Sequence, residues 1–273
     1  MNSLGNWLRK NLHPKLYEII LRFRHLFIMV IWAPWIQVQK CVFMPDPMNR
    51  NLNIGGGRWY LKHWENIDLY TWPAVFVDYK VDLRTSKELP FPDGCAQRIY
   101  TSHLLEHLDD ECVLNLLKEC NRILKKDGYL RVSVPDMDKV LVAYWHNDVG
   151  FFQNDEIFWV GDSIERRLVN YFASYDKGEY TGGPVVDDYI VREKISTLSK
   201  HEFVEWCRSL IPYDASKVEH INGYDYQKLQ GFLKLAGFSY IYQSSFKSSK
   251  DPVMRGGKID NRPTISLFVE AIK

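Results

Sequence analysis

The sequence predicts an α/β fold on a mostly parallel sheet, and three observations carry that prediction. A short apolar strand runs directly into glycines at NLNIGGGRW, Asn51–Trp59. Short strand-like runs then alternate with a long helical pattern between residues 65 and 135, as strands and helices do in α/β domains. Two of the runs end in aspartate, Asp68 and Asp82. In open α/β sheets ligands gather at the carboxyl ends of strands, so glycines and acids there point to a binding site.

The elements follow in order. Pro14 suits a helix start, and Leu16, Ile19, Ile20, Phe23 and Phe27 recur at helical spacing after it. The apolar run Leu26–Ile36 is too short to span a bilayer and is interrupted by Pro34. No small-residue cleavage site follows it, which argues against a signal peptide. Residues 1–50 are therefore read as a helical N-terminal extension. Residues 51–273 are read as one α/β domain. Its strands are expected at Asn51–Ile54, Glu65–Tyr70, Ala74–Leu83 and Arg98–His103, with a turn at Leu89–Cys95 and, over Lys125–Pro135, a turn with Gly128 and then an apolar strand. A helix is expected from about Glu106 to Leu124, with Val113, Leu116, Leu117 and Cys120 on its buried side. The region from about 140 to 220 is less regular and rich in Tyr, Trp and Phe, and it contains a loop signal at Tyr180–Pro184. A helix over Tyr224–Phe238 and strands at Tyr240–Phe246 and Thr264–Ile272 close the domain.

Composition narrows the function classes. The net charge of +1 gives no global attraction to nucleic acid. The charge is uneven, however: residues 1–40 hold six Lys/Arg and one acid. That segment is either a helix packed on the domain or a basic, aromatic contact with anionic lipid. The five cysteines are scattered without a C-x-x-C pair, as reduced thiols of a cytoplasmic protein are.

The glycine turn discriminates among ligands. A dinucleotide fingerprint needs G-x-G-x-x-G and an acid about twenty residues on. Gly55 and Gly57 fit, but Tyr60 stands at the third position and Asp68 follows Gly57 by only eleven residues. A nucleoside without a pyrophosphate suits this turn better, with Asp68 able to accept from ribose hydroxyls and Asp82 from an adenine amino group. Either aspartate could instead cap a turn.

The series LNIGGG, ENID, VDL, LPFPDG, IYTSHLLEHL and LKKDGYLRVSVPD resembles the class I S-adenosylmethionine-dependent methyltransferases, in particular the type 11-like group often found beside bacterial surface-polysaccharide genes. The resemblance implies a Rossmann-like fold: a mostly parallel seven-stranded sheet with helices on both faces. It also implies S-adenosylmethionine as cofactor. By it, Asn53, Ile54, Gly55 and Gly57 line the methionine part, Asp68 and Leu69 hold the ribose, Asp82 and Leu83 frame the adenine, and Ser102 lies beside the reactive methyl. Asn53 departs from the acid usual in the first motif, and KKDG from the usual Pro-Gly-Gly turn.

A hydroxyl acceptor would need a general base, for which imidazole is suited near neutral pH. The segment SHLLEHL supplies His103 as base, with His107 as second catalytic candidate. Glu106 and His107 could equally orient the next helix. No metal belongs to this first reading. As an alternative, His103, Glu106 and His107 would share a helical face and could hold a divalent ion with a distant His201 or His220. Tyr144, Trp145, Phe151, Phe152, Trp159, Tyr171, Tyr175 and Tyr180 are candidate pocket rings, though large rings usually bury in the interior. The acceptor is read as a small molecule or a glycan hydroxyl. Another small metabolite, or cofactor binding without catalysis, are the alternatives.

Overall fold

The computed structural model describes residues 46–57, 59–69, 77–153, 163–176, 181–182, 184–211, 218–256 and 259–273. The helical extension expected over residues 1–50 therefore lies almost wholly outside the described residues, as do Trp159 and Tyr180. Among the described residues no helix is long and apolar enough to cross a membrane.

The main sheet has seven strands: β1 (Arg50–Ile54), β2 (Glu65–Asp68), β3 (Tyr79–Lys80), β4 (Ala96–Ser102), β5 (Leu124–Pro135), and two late strands, Tyr240–Ser244 and Ser266–Ile272. In space the order is β3-β2-β1-β4-β5, then Ser266–Ile272, then Tyr240–Ser244 at the edge. All neighbours are parallel except at Ser266–Ile272, which runs antiparallel to both strands beside it. The strand order reverses between β1 and β4, so the crevice for a ligand opens above the carboxyl ends of these two strands. The Rossmann-like, mostly parallel sheet is as the sequence predicted.

Alternation along the strands divides the faces. Leu52, Ile54, Ile67, Ile99, Leu130, Val132, Val134, Leu267 and Val269 point to one face. Helices α1 (Asp110–Ile123) and Tyr226–Leu235 pack there through Val113, Leu116, Leu117, Leu229 and Leu233. The opposite face carries Asn53, Asn66, Tyr100, Arg131 and Glu270, all buried. Helices were expected on both faces. Among the described residues, Leu61 and Trp64 from the β1–β2 connection, Met254 from a 3-10 turn (Pro252–Arg255) and Ile259 after it pack on this second face around Tyr100. Arg131 is fully buried there and answers two acids, Asp260 at 2.6 Å and Glu270 at 2.7 Å, which is how a sheet face accepts a buried charge.

Helix α1 begins at Asp110 rather than Glu106, because Asp109 caps it by accepting from the Cys112 N–H at 2.8 Å. The residues before it form a separate 3-10 turn, Leu105–His107. Near the other end of the helix, Glu119 accepts from the Leu89 N–H and from Arg122, and Arg122 donates to the Leu89 and Phe91 carbonyls. This pins the LPFPDG turn to the helix and fixes where β4 starts.

Three other expectations shift. The strand expected over Ala74–Leu83 is ladder only at Tyr79–Lys80, because Asp82 then caps a turn through the Arg84 N–H; residues 74–76 lie outside the described residues. The turn expected at Lys125–Gly128 lies inside β5, where Asp127 takes φ 62° and the register against β4 slips. The irregular region is mostly helical, with α2 (Met137–Trp145), α3 (Val149–Gln153), α4 (Ile164–Phe172), α5 (Asp188–Thr197) and α6 (Lys200–Ser209). It adds a small antiparallel sheet of β6 (Ser174–Asp176), β7 (Thr181–Gly182) and β8 (Val218–His220). Thr181–Gly182, expected in a loop, pair with Tyr175 and Asp176. We number the remaining elements α7 (Tyr226–Leu235), β9 (Tyr240–Ser244) and β10 (Ser266–Ile272).

Candidate active site

The glycine turn sits at the carboxyl end of β1. Gly55 has φ 67°, and a Cβ there would stand 2.5 Å from Leu104 Cδ2, so only glycine lets the turn lie against the segment after β4. Gly57 has φ 51° and open space where a Cβ would be. Asp68, at the end of β2, accepts from the Gly57 N–H at 2.7 Å. The aspartate thus holds the turn as well as standing at its mouth. An open cradle over glycine, with a carboxylate at the end of the next strand, fits a nucleoside whose hydroxyls donate hydrogen bonds.

The other predicted cofactor residues divide by role. Ile54 is fully buried in the core, so its side chain lines no pocket. Asn53 is also buried; its amide donates to the Trp59 carbonyl at 2.9 Å and to Asn66 Oδ1 at 2.8 Å. It scaffolds the turn from beneath, which is why an uncharged amide serves where an acid was expected to reach the ligand. Leu69 is half-buried beside Asp68. Asp82 is engaged by Arg84, whose guanidinium and backbone N–H hold its carboxyl below the usual range; this is the turn-capping role. Leu83 packs on the main core. The Ser102 hydroxyl donates to Asn261 Oδ1 at 2.9 Å.

The segment after β4 carries a cluster of titratable side chains. His103 adopts φ 51°, an uncommon backbone for a residue with a side chain. Its N–H donates to the Ser133 carbonyl at 2.8 Å. Its ring is buried between two partners, Ser266 Oγ at 2.8 Å from Nε2 and Glu106 Oε1 at 3.2 Å from Nδ1. Ser266 spends its own proton on the Arg262 carbonyl, so Nε2 is the donor to Ser266. Both nitrogens of His103 are thus turned inward, and the base role expected of it is better suited to a positioning role.

Glu106 is the centre of this cluster. It is 1% exposed. Burial pushes its carboxyl up, but the contact and charge of His103, then the charges of His107 and His220, outweigh it and bring it down to about 2. The His103 approach lies off the line of a good hydrogen bond, and both Glu106 oxygens lack a donor. His107 is about a third exposed, 4.0 Å from Glu106 Oε1 and 3.9 Å from Glu219 Oε2. It is the imidazole of the cluster that faces outward.

His220, on β8, completes the group. Its ring meets that of His107 edge to face at 4.9 Å. Burial, and then the charge of His107, push it down to about 3. Its Nδ1 lies 3.0 Å from the Tyr171 carbonyl. The chain returning from the helical region is stitched to the 3-10 turn: the Ile221 N–H donates to the Glu106 carbonyl, and the Tyr224 hydroxyl to the Leu105 carbonyl. His201, the other distant candidate, is exposed and pairs with Asp225 at 3.4 Å.

Sequence reasoning missed Ser266, Asn261 and Glu219, which come from more than a hundred residues away and carry no local signal. The predicted pocket rings prove largely interior. Phe151, Phe152 and Tyr171 pack on one another within the core formed by α2 to α6. Trp145 is exposed.

Residues 73–132 match the family model described as "Methyltransferase domain". No curated protein matches the chain. Among solved structures the chain is similar to an S-adenosylmethionine-dependent methyltransferase from Mesorhizobium loti, with 16% identity, a TM-score of 0.39 and coverage of 87% of this chain and 96% of that one. It is similar to one from Archaeoglobus fulgidus at 13% identity, TM-score 0.43 and full coverage of both chains. It is also similar to one from Methanosarcina mazei at 14% identity, TM-score 0.42, covering 82% of this chain and 92% of that one.

Proposed function

We propose that the chain, an S-adenosylmethionine-dependent methyltransferase built on the class I sheet, methylates a hydroxyl of a carbohydrate or glycan. The observation that supports this reading is the buried, ionised Glu106 with imidazoles around it, set directly against the glycine turn through Leu104. A hydroxyl keeps its proton near neutral pH, so its methylation needs a group that takes up or displaces that proton.

When bound, S-adenosylmethionine supplies a methyl group on a positively charged sulfur. Gly55 and Gly57 give its backbone-close cradle, and Asp68 accepts from the ribose. Glu106 holds negative charge at the acceptor side, His103 fixes it from behind, and His107 faces the incoming hydroxyl. The near-neutral net charge supports a small or glycan acceptor over nucleic acid. The carbohydrate class follows from the resemblance to the group associated with surface polysaccharides.

Incubation with labelled S-adenosylmethionine and parallel pools of sugars and nucleotide sugars, phenols and carboxylic acids tests the acceptor. The expected product is a methyl ether on a sugar hydroxyl; a methyl ester or a phenolic ether would replace this reading. We place the reaction in the cytoplasm, with residues 1–40 as a peripheral contact on anionic lipid. Sedimentation with anionic vesicles should recover the full chain better than a chain lacking that segment, and equal recovery would remove the contact.

A further inference from the structure

We propose that Glu106, His107 and His220 form a binding site for a divalent first-row transition-metal ion, with Zn²⁺ the best match to the donor set. Two imidazoles and one carboxylate are a common ligand set for such ions. One donor atom from each residue lies within 4.8 Å of the others. Donors about 2.0–2.2 Å from a tetrahedral ion stand about 3.3–3.6 Å apart, so the group closes by an inward movement of about an ångström. His107, the exposed member, is free to make it.

Two further observations point to a cation. The Glu106 carboxylate is buried with neither oxygen satisfied by a hydrogen-bond donor. His103 at 3.2 Å and His107 at 4.0 Å are close without being aligned as donors, so the lone pairs stay available to a cation. The second observation is the tautomer of His220. A carbonyl can only accept, so Nδ1, facing the Tyr171 carbonyl, carries the proton. That leaves the Nε2 lone pair as the ligand, with the backbone carbonyl orienting the ring from behind, as is usual for metal-bound histidine. The ligands come from the 3-10 turn and from β8, and the Ile221 N–H bond to the Glu106 carbonyl holds these two elements together at 2.9 Å. His220 takes the place that His103 held in the sequence-derived alternative, because His103 spends Nε2 on Ser266.

Three protein ligands leave part of the coordination sphere open. Resting on the hydroxyl reading above, neighbouring hydroxyls of a sugar are suited to fill it. Coordination weakens the O–H bond, whose electron pair stays on oxygen while the proton passes to water. His107 then serves as ligand rather than as proton acceptor.

The test uses the full chain stripped with a chelator and titrated with Co²⁺. Visible d–d absorption and the metal content after dialysis give the affinity and stoichiometry. One ion per chain is expected. Glu106→Gln and His107→Asn should each weaken binding by at least about 100-fold, since even outer residues of metal sites change affinity by 10–100-fold. Circular dichroism and S-adenosylhomocysteine calorimetry establish that both variants fold and keep the cofactor site. No retained ion, or equal retention by both variants, overturns the site. The two readings fail separately: a metal-loaded chain that methylates no hydroxyl removes the function and keeps the site, while no retained ion in a chain that methylates hydroxyls removes the site and keeps the function.

Discussion

Glu106→Gln is expected to lower turnover by about 10²–10⁴-fold, the usual range for losing proton-transfer assistance, while S-adenosylhomocysteine binds as it does to the parent. The substitution keeps the size and shape of a fully enclosed side chain and removes only its charge. That charge is what the site is arranged to keep: burial opposes it, and His103, His107 and His220 together prevail. Glutamine offers the His103 and His107 rings no anion. The cofactor side should not respond, because the glycine turn is held by Asp68 and Asn53 and meets this segment at Leu104. Turnover measured at saturating cofactor, set beside calorimetry, checks the split. Turnover close to the parent's would show that Glu106 only supports the fold, and a matching loss of cofactor affinity would show that the two halves of the site are not separate.

The part of this arrangement that was legible in the sequence is the part whose causes are local. A strand running into Gly55 and Gly57, Asp68 closing the next strand, and the spacing of Val113, Leu116, Leu117 and Cys120 each follow from period and turn chemistry within a few residues. The placement of SHLLEHL beside the glycine turn came from the family resemblance. Long-range pairing was not legible. Ser266 takes one nitrogen of His103 from 163 residues away, and His220 reaches Glu106 because a whole helical region folds back between them. The same distance explains the reassigned residues. Asp82 could be a ligand or a turn cap on sequence grounds, and the nearby Arg84 decided for the cap. The aromatic residues read as pocket or core, and the helices around Phe152 and Tyr171 placed them in the core. Asn53 was assigned to the cofactor by its position in the motif, but strand alternation turns it to the covered face, where Trp59 and Asn66 take its amide.

Asp68→Ala should weaken S-adenosylhomocysteine binding by about 10–100-fold, as expected for losing hydrogen bonds to a charged acceptor, and turnover at saturating cofactor should stay near the parent's. Two losses combine in that number. On the proposed reading the carboxylate receives the ribose hydroxyls, and it also accepts from the Gly57 N–H at 2.7 Å. Without it the turn loses the bond that sets Gly57 at φ 51°, a conformation glycine enters at no steric cost but leaves as readily. Asp68→Asn separates the two. Its remaining oxygen can still accept from Gly57, while its NH₂ group meets the ribose as a donor. Recovery of most of the affinity in Asn would assign Asp68 chiefly to the turn; a loss as deep as in Ala would assign it to the ribose. Parent-like binding by Asp68→Ala would refute both roles and move the nucleoside away from the end of β2. The glycines would then be left as a packing device for Leu104, because the open space over Gly57 is a ligand cradle only if the carboxylate beside it has a ligand to hold.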